Sequence, residues 1–122
     1  MQHRFSKEEQ NRARSVNLAL FLTDYDIAYG TQRFSMDAKG YIHDTIDENW
    51  ICSVKNNHWF DNSPKTLIKH GNAIDWVMYR ADEQYSFKEA MTLLLAYADG
   101  NDWKQYLKNG DYFDELAEYP FT

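Results

Sequence analysis

Cysteine occurs only once in these 122 residues, at Cys52. A single thiol excludes an internal disulfide and fits a reducing compartment. Histidine is present at His3, His43, His58 and His70, but no Cys-x-x-Cys or His-x-x-x-His pair occurs. Structural zinc takes its ligands in tight pairs, because two ligands from one turn offset part of the ordering cost. The expectation is therefore no metal and no other cofactor. No apolar run approaches the roughly 18 residues of a membrane span, and MQHRFSKEEQ lacks the apolar stretch of a secretory signal. A cytoplasmic location away from membranes is expected. Also missing are Gly-x-Ser-x-Gly, His-Glu-x-x-His, a Gly-rich phosphate loop and the His-x-Glu deaminase pattern, each of which carries a defined mechanism. Asp44, Asp47 and Glu48 do not have the spacing of an EF-hand. The chain is expected not to be an enzyme.

What is present suits one globular domain. Hydrophobic residues make up 43% and charged residues 26%, and the length suffices for a core that needs no staples. Aromatics reach 16%, so rings should dominate the core and any binding face. The net charge of −6 is unevenly spread. Asn49 to Ala81 carries four basic against two acidic residues, whereas Asp99 to Thr122 carries two basic against six acidic. A mildly basic middle and an acidic tail point toward different kinds of partner.

Local signals predict an α+β fold, with a small antiparallel sheet between N-terminal and C-terminal helices. Ser6 and Glu9 form a capping box that starts a helix at Lys7 and runs to about Arg14, with Ser15 or Asn17 capping a second. Val16, Leu18, Ala19, Leu20, Phe21 and Leu22 are too continuously apolar for a surface helix and should be buried. Tyr29-Gly30 and Asp37 to Gly40 read as turns. Thr31 to Met36 is a possible strand, and Tyr41 to Glu48 is open between strand and loop. Trp50 to Val54 and His58 to Phe60 are the clearest strands, joined by Lys55-Asn56-Asn57, where asparagine tolerates positive φ. Asn72 caps a helix with Ile74, Val77, Met78 and Ala81 on one face. Ser86 and Glu89 box another, with Phe87, Ala90, Met91, Leu94, Leu95 and Ala98 inward, ended by Asp99-Gly100. Asp102 can cap a short helix to Lys108.

Trp59 to Leu95 runs from an aromatic strand through a loop with Gly71 into two helices, Ala73-Ile74-Asp75-Trp76-Val77-Met78 and Ser86-Phe87-Lys88-Glu89-Ala90. The order resembles the zinc-binding domain of bacterial DNA primases, in a zinc-free form similar to the front domain of Toprim-containing proteins on mobile elements. The resemblance covers about Ser6 to Ala98, which implies a degenerate primase zinc-domain-like unit over 1–98 and an acidic, aromatic, helical extension over 99–122 packed on it. The family's Cys-x-x-Cys pair would fall near Phe60-Asp61-Asn62-Ser63, and packing by Trp50, Trp59 and Phe60 is expected in place of metal. The resemblance implies a non-catalytic, nucleic-acid-associated module of a mobile element that binds single-stranded nucleic acid or assists a replication protein.

That chemistry needs rings for bases and cations for phosphates. Trp59 with Lys55, His58, Lys65, Lys69 and His70 can supply both, and Arg80, expected to point outward, extends the basic rim. Because Trp59 alternates with Phe60, at least one of the two must face the core. The tail offers a reading of another class. Asp102, Trp103, Asp111, Tyr112, Asp114 and Glu115 set acids beside rings, which suits docking on a basic partner. In that alternative the chain is an acidic inhibitor or regulator of a nucleic-acid-binding enzyme, of the anti-CRISPR type.

Overall fold

The computed structural model describes residues 4–108. Two helices open the chain: α1 (Lys7–Arg14) and α2 (Leu18–Tyr29). Ser6 Oγ accepts from Glu9 N while Glu9 returns a bond to Ser6 N, so two otherwise unpaired donors of α1 are satisfied locally. Asn17, not Ser15, caps α2, accepting from Leu20 N. At its far end Gly30 takes φ 67°, a left-handed conformation that costs a glycine little.

Five strands follow: β1 (Phe34–Met36), β2 (Tyr41–Asp44), β3 (Trp50–Ser53), β4 (His58–Asp61) and β5 (His70–Gly71). They form one antiparallel sheet in chain order. The β3–β4 turn places Asn57 at φ 52°, the conformation its short polar side chain tolerates. Asn57 also ties the sheet to the helices, accepting from Leu18 N at 2.7 Å and donating to Val16 O at 2.9 Å.

Two helices complete the framework, α3 (Ala73–Tyr79) and α4 (Phe87–Ala98), before a 3-10 turn at Trp103–Tyr106. Each has a reciprocal cap, Asn72 with Asp75 and Ser86 with Glu89. The fold is therefore α+β, as expected. Among the described residues no helix is long and apolar enough to cross a membrane.

The core lies between the inner sheet face and the helices, and rings fill it. Trp50, Trp59, Trp76, Phe21 and Tyr25 are all buried. Trp76 meets Tyr25 edge-on with ring centroids 5.0 Å apart, and Trp50 stacks on Trp59 at 6.5 Å. Expected filler Phe60 is a correction: it points away from the core and is 42% exposed. Leu20 is another, at 60% exposed. Only one side of α2 meets the core, and a continuous apolar run does not say which residues lie on that side.

Gly71 has a packing reason. It pairs with Trp59 across β4–β5, and a Cβ built there would lie 2.5 Å from the Cβ of Asp75. Because Asp75 is held by its bond to Asn72 N, α3 cannot yield freely. Gly71→Ala should cost about 1–3 kcal/mol through overpacking. Thermal unfolding checks this, and an unchanged Tm would refute the close approach.

Candidate nucleic-acid interface

Strand alternation gives the sheet two unlike faces. Phe34, Ile42, Asp44, Trp50, Cys52, Trp59 and Asp61 project toward the helices. The opposite face carries Ser35, Tyr41, His43, Ile51, Ser53, His58, Phe60 and His70. Register sets Ser35 opposite His43, His43 opposite Ile51, Ile51 opposite Phe60, and Phe60 opposite His70. One row of side chains thus crosses all five strands. Tyr41, His43, Phe60 and His70 in this group are exposed. None of the eight positions is a carboxylate, although the whole chain is acidic.

Phe60, His58 and His70 form a tight group at the β4–β5 edge. The Phe60 centroid lies 5.2 Å from that of His58 and 6.3 Å from that of His70. His58 Nε2 and His70 Nδ1 are 2.9 Å apart, so one ring nitrogen carries a proton and the other accepts it. Partial burial, then the neighbouring His70, pull the His58 pKa below its ordinary value, against an opposing pull from Asp75. An imidazole depressed in the folded state contributes full stability above about 6.5, which is lost as pH falls below that value. His43 lies further along the face, 2.7 Å from Asp37. Asp37 also accepts from Tyr41 N and Lys39 N, and the His43 bond is the largest cause of its pKa falling to about 2.

Cations stand at both ends of this face. Lys39 in the β1–β2 turn and Lys55 in the β3–β4 turn are exposed at one end, where Val54 N donates to Gly40 O. Lys65 and Lys69 are exposed in the β4–β5 loop at the other, with Lys69 Nζ donating to Ser63 O. The structure therefore brings Lys55, His58, Lys65, Lys69 and His70 around the open face.

Three expected site residues are corrected. Trp59 is fully buried, and its indole N–H donates to Asn72 O at 2.9 Å, so it cannot stack on a base. Phe60 is the ring of this pair that is exposed on the open face, and the Trp59/Phe60 alternation was the signal that could have found it. Arg80 does not point outward. Helix α3 ends at Tyr79, and Arg80 leaves the helical periodicity as its C-cap at φ −124°. Its guanidinium turns back to pair with Asp61 and, at 2.8 Å, with Asp47, and lies 5.6 Å from the Trp59 ring centroid. Trp103 is also buried, packed edge-on against Tyr97 at 5.2 Å, so it is no docking anchor. Asp102 is exposed; Asp111, Tyr112, Asp114 and Glu115 lie outside the described residues.

Other polar clusters are structural. Arg33 binds Asp44 through two nitrogens, reaches Asp82 and donates to Arg80 O, locking β1, β2 and the α3–α4 connection. Burial pushes the Cys52 thiol up to about 12, which leaves no thiolate at neutral pH. Among the described residues no three His, Cys, Asp or Glu side chains converge as metal ligands. No protein-family model matches the chain, and neither the curated proteins nor the solved structures compared with it include a significant match.

Proposed function

We propose that this protein is a non-catalytic module of a mobile element that binds single-stranded nucleic acid, or assists a replication protein in doing so, through the open face of its sheet. The observation that carries the reading is the row of exposed rings on a face whose eight strand positions include no carboxylate, bounded by lysines at each end. Bases of any sequence have a π-face, so exposed rings beside backbone-tracking cations suit sequence-tolerant binding. The zinc-free primase-like resemblance over Ser6 to Ala98 points to the same class of ligand. Burial of Trp103 removes a ring from the competing reading, in which the acidic tail docks on a basic enzyme.

Phe60 is the stacking ring in this proposal. Phe60→Ala should weaken binding of a fluorescein-labelled dT oligonucleotide by about 5-fold to 150-fold, equivalent to about 1–3 kcal/mol for one stacked base. Replacing Lys55 and Lys69 should flatten the dependence of affinity on salt by about one to two phosphate contacts. Fluorescence anisotropy at two ionic strengths reads both effects. Absence of binding by the unaltered chain at low salt would overturn the proposal.

A further inference from the structure

The His58–His70 pair does more chemistry than a stacking surface requires. The two rings come from adjacent antiparallel strands and share one proton across 2.9 Å beside an exposed phenyl ring. Packing alone would be served by apolar side chains, which have no polar atoms to satisfy. Neither ring has a further hydrogen-bond partner among the described residues, so one nitrogen on each remains for a ligand. Among the described residues no third His, Cys, Asp or Glu joins the pair to complete a transition-metal site.

We propose that His58 and His70 form a phosphate subsite that fills with uptake of a proton. This deepens the nucleic-acid reading and rests on it for what bears the phosphate. At neutral pH the pair holds one proton between its facing nitrogens, and that hydrogen bond occupies both. One added proton makes one ring an imidazolium that keeps donating to the other, so the outer nitrogens, His58 Nδ1 and His70 Nε2, both become N–H donors on a pair with one positive charge. Phosphate oxygens accept from these outer N–H groups and offset the added positive charge. Occupancy and protonation therefore favour each other, as linkage requires.

Charged neighbours are few on every side of the pair. Strand β3 presents uncharged Ile51 and Ser53, and β4 presents Phe60. From α3, Asp75 favours the charged form of His58, while its own carboxylate is held by Asn72 N. Lys69 precedes His70 and is tethered to Ser63 O. His43, with its partner Asp37, is the remaining described imidazole on this face.

Affinity for a labelled dT oligonucleotide of about 12 nucleotides, at constant ionic strength, should rise roughly tenfold from about pH 7.5 to about pH 5.5. Calorimetry in two buffers of different ionisation enthalpy should show uptake of about one proton. The His58→Gln/His70→Gln double variant should lose this pH dependence, whereas His43→Gln should keep it. In parallel, inorganic phosphate titrated at about pH 5.5 should move the ring NMR signals of His58 and His70, and chloride should not.

The arms separate the two claims. An oligonucleotide that binds equally at both pH values, or a double variant with unchanged pH dependence, overturns the subsite and leaves the nucleic-acid reading standing. An oligonucleotide that binds at neither pH overturns that reading, and the phosphate titration then judges the subsite alone. Ring signals that stay still under phosphate refute it.

Discussion

Trp59→Ala is expected to destabilise the fold by about 3–5 kcal/mol, the usual cost of emptying a large buried aromatic site. The side chain is completely buried, stacks on Trp50 and sits beside the Arg80 guanidinium. Its N–H also satisfies Asn72 O, the backbone carbonyl at the start of α3. Truncation therefore opens a cavity, leaves Asn72 O with the Trp76 N–H as its remaining donor and loosens the seam between β4 and α3. Trp59→Phe keeps most of the volume and should cost less, about 1–3 kcal/mol, for the smaller ring and the lost N–H bond to Asn72 O. Against a typical total stability of about 5–15 kcal/mol, the alanine variant should unfold at a clearly lower urea concentration. A loss below about 1 kcal/mol would contradict the assignment of Trp59 to the core. Phe60→Ala should leave stability nearly unchanged while weakening ligand binding, so the neighbours should separate folding from recognition.

Asp61→Ala should have a comparable effect for an electrostatic reason. Asp61 is buried, its carboxylate meets Arg80, and it accepts from Ser63 N at 2.7 Å. Removing it leaves the Arg80 charge in a site whose side chain is only 17% exposed, with half-exposed Asp47 as its remaining carboxylate. Breaking one side of a buried pair costs about 3–5 kcal/mol, because the surviving charge is stranded. Asp47→Ala should cost about 1 kcal/mol or less, since solvent screens that more exposed partner. Chemical denaturation of both variants checks the order, and equal losses would show that burial of Asp61 is not what matters. Trp59→Ala and Asp61→Ala share Arg80, so their combined cost should fall short of the sum.

Where the resembled family places a cysteine pair, at 60–63, this chain puts an exposed ring at Phe60 and a buried ion pair at Asp61. Trp50 and Trp59 lie inside, as expected of core rings, but the arginine clamp was not anticipated. Its cause is the early end of α3. Helical periodicity placed Arg80 opposite Ile74, Val77 and Met78, but a residue beyond the last helical turn no longer obeys that periodicity. Strand β5 was missed because His70–Gly71 is too short to show alternation.

Helix starts were legible because a cap is a local device: Ser6 with Glu9, Ser86 with Glu89, and Asn72 each bond within three residues. The turn at Asn57 was legible for the same reason, since φ preference belongs to one residue. The sequence by itself determined these boundaries and the requirement that Trp59 and Phe60 face opposite ways. Only the tertiary structure decided which of them faces inward. That choice depends on Asn72 O accepting the Trp59 N–H and on Asp61 meeting Arg80, contacts between segments distant in the chain. It also brought His58 and His70 together, twelve residues apart, because strand pairing, which no single segment encodes, sets which side chains become neighbours.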